Sequence, residues 1–190
     1  MSQSVKIATI LPYKENYTFH KAQAAAIWVC DFFKYSKFKN TNYIFGNTKG
    51  NDYLTKNYIN ISINNLKSKF SSSTNEYCKN FIKKTKNNNF DIIEIHNRPL
   101  VFNYLKKEID SEYILYFHND PLSMNGSKSI SERLKLLDEL DKIIFVSKWV
   151  QNRFFEKLDN KLINKTEVVY PSIHKEKKIF KKEKKITFVG

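Results

Sequence analysis

Short apolar runs, each ended by a proline or a polar cluster, recur along the chain and alternate with longer stretches of helical period. Val5–Leu11 is mostly β-branched and stops at Pro12, which reads as a buried strand. The stretch His20–Tyr35 places Ala22, Ala26, Val29 and Phe33 at helical spacing, and the run Ala24–Ala26 lets such a helix lie close on a sheet. Asn42–Asn47 predicts a second strand and Asn57–Ile63 a third, weaker one. Ser73 with Glu76 three residues later reads as a capping box opening a helix whose apolar side carries Tyr77 and Phe81. Asp91–Ile95 is a strand; Pro99 suits the first turn of the next helix, where Val101, Leu105 and Ile109 recur every four residues. The strand in "EYILYFHND" follows. Ser129 and Glu132 form a second capping box before Ile130, Leu134 and Leu137. "DKIIFVS" is a strand, Ser147 is placed to cap the helix carrying Val150, Phe154 and Leu158, and "TEVVYP" closes the series.

Continuously apolar strands alternating with amphipathic helices predict an α/β fold: a doubly wound, Rossmann-like parallel sheet with helices on both faces. Right-handed crossovers follow. After Pro171 the pattern changes to a dense Lys/Glu run and then "ITFVG". The expected organisation is a Rossmann-like domain over 1–172, a charged linker over 173–185, and a strand over 186–190 that opens another domain.

In an open parallel sheet, ligands bind beyond the carboxyl ends of the strands. That rule selects Tyr13–Glu15, His96–Arg98, His118–Asp120, Ser147–Lys148 and Tyr170–Ser172. Two of these clusters share a form, His-Asn-Arg-Pro and His-Asn-Asp-Pro, and loop filler does not account for the repetition. His118 can donate to a ligand; Asp120 before Pro121 has the rival role of starting a turn, and Asn119 is similar. Arg98 suits an anion. His96 reads as a ligand or as a partner that orients its neighbours. Ser147 reads as a cap rather than a catalyst, and Trp28 and Trp149 as packing residues.

Composition removes several alternatives. The 190 residues are 41% hydrophobic with 15% aromatics, so the chain is not a disordered one. No Gly-x-Gly-x-x-Gly follows the first strand and no Gly-x-Ser-x-Gly elbow occurs, so dinucleotide and serine-hydrolase fingerprints are absent. Cys30 and Cys78 stand alone, and no cluster has zinc-ligand spacing; neither a metal nor another cofactor is expected. Val5–Leu11 is too short for a signal peptide's apolar core, and no run approaches the ~20 apolar residues of a membrane span. The net charge is +14, carried almost wholly by Lys. Codon bias of an AT-rich genome gives this composition, as does selection for an anionic partner such as a membrane surface or a phosphorylated substrate. With only Arg98, Arg133 and Arg153 as arginines, base-edge readout has little to work with, and nucleic acid is not the expected partner.

Taken in order, "FDIIEIHNRP", "YILYFHNDP", "LDKIIFVSKWVQNRF", "EVVYPSI" and "KKITFVG" resemble the N-terminal half of a family 4 glycosyltransferase, nearest the bacterial branch that builds lipopolysaccharide and capsule. The resemblance covers nearly the whole chain. It implies a GT-B fold, in which a C-terminal domain holds the nucleotide-sugar and the N-terminal domain binds the acceptor. It further implies metal-free transfer of a hexose, with retention, to a glycan or lipid-linked acceptor in the cytoplasm. His118 matches the family's histidine near the transferred sugar, and Lys14 and Glu15 lie in the loop that faces acceptor and donor phosphates. A lipid-linked acceptor would give the lysines a role on the anionic inner face of the cell membrane. Two departures stand out: "ENYTFHKAQAAA" lacks the glycines that relatives often carry there, and the donor domain is missing, so the chain alone is expected to be inactive. The rival reading is a non-catalytic α/β module that binds an anionic ligand or a partner protein.

Overall fold

In the computed structural model, residues 4–63 and 72–171 are described. The expected linker and final strand lie outside them. Seven strands form one sheet: β1 (Ile7–Ile10), β2 (Asn42–Gly46), β3 (Tyr58–Asn60), β4 (Ile92–His96), β5 (Glu112–Phe117), β6 (Lys142–Phe145) and β7 (Thr166–Val168). Every pairing is parallel, and the order is β3-β2-β1-β4-β5-β6-β7. The chain builds outward from β1 to β3, then returns to the other side of β1 with β4. The direction of winding therefore reverses between β1 and β4, and this switch point opens a crevice above their carboxyl ends.

Five helices connect the strands: α1 (Ala24–Tyr35), α2 (Ser73–Thr85), α3 (Pro99–Leu105), α4 (Ile130–Glu139) and α5 (Lys148–Phe154). Side chains alternate across the sheet with a period of two. Ala8, Ile10, Phe45, Ile93, Ile95, Leu115, Phe117, Ile143 and Phe145 share one core with Tyr77 and Phe81 of α2, Phe102 and Leu105 of α3, Leu136 and Leu137 of α4 and Phe154 of α5. Leu11 and Ile44 form a second, smaller core with Ala26, Val29 and Cys30 of α1. Four helices thus cover one face and α1 covers the other. Ala25 and Ala26 are buried, as the close approach of that helix requires. Cys30 and Cys78 are buried free thiols.

Several local expectations shift, and Ile109 and Leu158 fall beyond the ends of α3 and α5. α1 begins at Ala24, not His20: the Ala22 N–H bonds to the Thr18 carbonyl and residues before the helix form turns. The cap of α2 is Ser72 rather than Ser73, its hydroxyl accepting from the Asn75 N–H at 3.2 Å. On α4 the buried stripe is Arg133, Leu136 and Leu137, while Ile130 and Leu134 are exposed. The Arg133 stem packs inward, and its head donates to the Ser127, Lys128 and Glu156 carbonyls. Trp149 is 59% exposed rather than packed, with Arg153 over its ring. The remaining caps stand as expected: Ser129 and Glu132 close a full capping box, and the Ser147 hydroxyl accepts from the Val150 N–H.

Candidate functional site

The crevice is built by three strand ends. β4 runs directly into His96, Asn97 and Arg98. Asn97 adopts a left-handed conformation, φ 53°, one of the few side chains that does so at little cost. That turn aims its carboxamide at the neighbouring strand, where Asn97 Oδ1 accepts the His118 backbone N–H at 2.7 Å. The Asn97 N–H in turn donates to the Tyr116 carbonyl at 2.8 Å. Asn97 therefore stitches the end of β4 to the end of β5.

The two histidines meet side by side. His96 Nδ1 lies 2.8 Å from His118 Nε2. His96 is 1% exposed, and its other nitrogen, Nε2, is sealed without a partner. A sealed bare acceptor is tolerated more readily than a sealed bare N–H, so His96 donates through Nδ1 and His118 accepts through Nε2. His118 then carries its proton on Nδ1. Burial holds both rings neutral: it pushes His96 well below the usual range, with the neighbouring His118 adding to the effect, and lowers His118 to about 4. At neutral pH His118 is a hydrogen-bond donor through Nδ1, and its other nitrogen is already engaged. It is not suited to take a proton.

Aromatic rings fix the pair. His96 stacks on Tyr116 with centroids 4.5 Å apart, and Trp28 of α1 stands edge-on to His118 at 5.2 Å. Trp28 is half-buried and lines the same cavity as His118. Helical spacing marked it as a packing residue; its place at the crevice follows from the β1–β4 switch, which sets the start of α1 beside the end of β5. Beneath the rings, Glu94 accepts from Thr9 at 2.7 Å and from Tyr116 at 3.2 Å. Burial raises the Glu94 carboxyl above the usual range, against the lowering effect of those two bonds.

Two cavities share Asn97 and Asn119. The larger, about 540 Å³, is bounded by His118, Trp28, Glu15, Asp31, Val146 and the first turn of α1. The second, about 350 Å³, lies on the other side of Asn97 and contains Arg98, Tyr13, Ser123 and Asn125. Both fall within the size range of small-ligand sites.

Glu15 sits at the start of α1. Its carboxylate draws on the Ala26 backbone N–H, and its Oε2 is sealed without a partner. Burial raises its pKa, offset by Ala26 and by the Arg98 charge. A carboxylate thus occupies the position where a glycine-rich first loop would leave room for a phosphate. Lys14 is exposed and belongs to a third cavity with Asn16, Asn47 and Lys49, away from His118. Asp120 is committed elsewhere: Oδ1 accepts from the Leu122 N–H at 3.0 Å, and Oδ2 accepts from Arg153 at 3.1 Å. Its pKa is lowered by Arg153 and the Leu122 N–H against the opposing effect of desolvation, so it shapes the turn as a carboxylate. The strand ends thus bring Asn97, Asn119, Glu15 and His118 around one cavity, set His96 behind His118 and Arg98 in the adjoining cavity, and leave Lys14 and Asp120 outside. Among the described residues no group of three His, Cys, Asp or Glu side chains is arranged to hold a metal ion, and no helix is long and apolar enough to cross a membrane.

No protein-family model matches the chain, and no curated protein sequence matches it. Solved structures do. HepE of Anabaena in complex with UDP-glucose superposes with a TM-score of 0.61 at 11% identity, over 88% of this chain and 44% of HepE. The chain has the fold of the N-terminal half of a GT-B protein. The lipopolysaccharide outer core galactosyltransferase WaaB is similar at a TM-score of 0.57 and 16% identity, over 87% of this chain and 45% of WaaB. A UDP-N-acetylglucosamine 2-epimerase from Rickettsia bellii shares the fold at 0.56 and 11%, over 86% of this chain and 44% of the epimerase. The chain spans less than half the length of each of these proteins.

Proposed function

We propose that this domain is the acceptor side of a GT-B glycosyltransferase, and that the His118 cavity holds the sugar hydroxyls around the reacting centre. The observation that carries this reading is the place of His118, fixed by His96 and Asn97 at a carboxyl strand end and facing the cavity, with its burial favouring the neutral ring. A pre-oriented neutral donor stabilises charge on an oxygen without a proton transfer of its own. Trp28 offers an apolar face beside it, and Glu15 an acceptor for a hydroxyl.

In this reading a nucleotide-sugar is held by a second domain and its hexose passes, with retention and without a metal, to a glycan or lipid-linked acceptor. Among the described residues Glu15 and Asp31 line the His118 cavity while no Lys or Arg does, which disfavours a nucleotide diphosphate there. The lysine-rich surface would meet an anionic membrane leaflet at about 1 kcal/mol per well-placed Lys. Surface-polysaccharide synthesis, a cytoplasmic location and membership of family 4 rest on the order of the sequence motifs. The fold is shared by an epimerase, so the choice of transfer over epimerisation also rests on those motifs.

Saturation-transfer NMR on the 190-residue chain tests the assignment. Neutral mono- and disaccharides should contact the protein, and His118→Ala should abolish that contact without loss of fold. Nucleotide contact at the α1 end, or no saccharide contact, would contradict it. UDP-hexose turnover by the chain alone should be absent.

A further inference from the structure

The three arginines of the chain are used differently. Arg133 is buried and donates to three backbone carbonyls. Arg153 is paired with Asp120 and Glu156. Arg98 has no carboxylate within ion-pair distance among the described residues. One of its terminal nitrogens donates to the Asn97 carbonyl at 2.7 Å, and its guanidinium lies 5.6 Å from the Tyr13 ring centroid. Those contacts hold the group over its cavity and leave its other donors uncommitted. Glu15 feels the Arg98 charge but forms no ion pair with it.

The two cavities are opposite in charge. Among the described residues the His118 cavity is lined by Glu15 and Asp31 and by no Lys or Arg. Among the described residues the Arg98 cavity has no acidic lining residue; Asn97, Asn119, Asn125 and Thr74 line it with groups able to donate hydrogen bonds, while the Ser123 hydroxyl already donates to the Asp120 carbonyl. A fixed guanidinium amid neutral donors matches a phosphate or carboxylate, which it can grip with paired N–H groups. Asn97 and Asn119 line both cavities, so one ligand can occupy the two together.

We propose that the Arg98 cavity binds the anionic group, a phosphate or a carboxylate, of a saccharide whose neutral ring lies in the His118 cavity. This rests on the saccharide reading of the His118 cavity and adds the charge class of the acceptor. The domain then selects an acidic or phosphorylated sugar, and Arg98 is a specificity-determining residue.

The chain has three arginines, so a nitrogen-15 spectrum of the Arg Nε–H groups resolves Arg98 once each variant has assigned its peak. Titrations use inorganic phosphate, glucuronate, glucose and sodium chloride at matched ionic strength. A saturable shift of the Arg98 signal with phosphate or glucuronate, with Arg133 unmoved, is the expected result. The stronger of the two arms assigns the anion. Arg98→Gln should weaken binding by about tenfold or more, with Arg98→Lys intermediate. An Arg98 signal that moves with neither anion, or moves equally with sodium chloride, overturns the proposal. So does unchanged binding in Arg98→Gln. Glucuronate that moves Arg98 but no imidazole signal would leave the anion site standing and remove the saccharide reading.

Discussion

His96 Nδ1 and His118 Nε2 lie 2.8 Å apart, and this contact occupies one nitrogen of His118 and leaves the other, Nδ1, for a ligand. The donor ring is sealed and the acceptor ring opens on the cavity, so the pair works in one direction. His96→Gln should lower sugar affinity by about tenfold, since a misoriented donor loses roughly one hydrogen bond. His118→Ala should remove the contact. The melting temperature of each variant separates positioning from unfolding.

The same pair makes stability depend on pH. Both histidines have folded pKa values below the unfolded value, so the unfolded chain binds more protons under mild acid. Their contribution is fully present above about pH 6.5 and is lost as pH falls toward about 4, the His118 value, at up to roughly 1.4 kcal/mol per pH unit for each ring. Glu94 and Glu15 act in the opposite sense, since raised carboxyl pKa values lose stability as pH rises above 4.5. Denaturant melts of the wild type and a His96→Gln/His118→Asn variant, compared across this window, isolate the histidine part. The variant should show the shallower acid slope.

Arg133 should be the most damaging arginine to remove. Arg133→Met keeps the apolar stem but leaves the carbonyls of Ser127, Lys128 and Glu156 without this donor. A loss of about 2–4 kcal/mol in denaturant unfolding is expected. Arg153→Met, which breaks part-exposed pairs, should cost clearly less.

Gly126 holds the loop that carries Asn125. Its φ is +91°, and a Cβ there would stand 3.1 Å from Pro99 Cβ and 3.3 Å from the Leu100 nitrogen. Gly126→Ala should destabilise by about 1–2 kcal/mol from the left-handed backbone alone. It should also weaken anion binding beside Arg98 while leaving saccharide contact at His118 intact, read from the two sets of nitrogen-15 signals.

The alternation of strands and helices was legible in the sequence because each strand is a short apolar run with a hard stop, as at Pro12 and Pro171. The polar clusters at the ends of β4 and β5 were legible for the same reason. Periodicity could not reveal partnerships across strands: the His96–His118 bond depends on parallel register, which pairs His96 with Tyr116 and sets His118 just beyond. Nor could it show a second character in a residue. Arg133 buries a stem and uses its head, Trp28 packs and lines a cavity, and Glu15 follows the loop but turns onto α1. Asp120 is engaged by Arg153, which lies 33 positions further along the chain and becomes its neighbour only in the fold.

The central claim is that His118 meets a sugar as a neutral donor through Nδ1. Nitrogen-15 NMR of the imidazoles at pH 7, recorded while a saccharide is titrated into the 190-residue chain, measures this directly. His118 should be neutral and protonated on Nδ1, with that signal shifting saturably and the His96 signals following only weakly. A charged His118, a proton on Nε2 instead, or an Nδ1 signal indifferent to every saccharide that binds would contradict it.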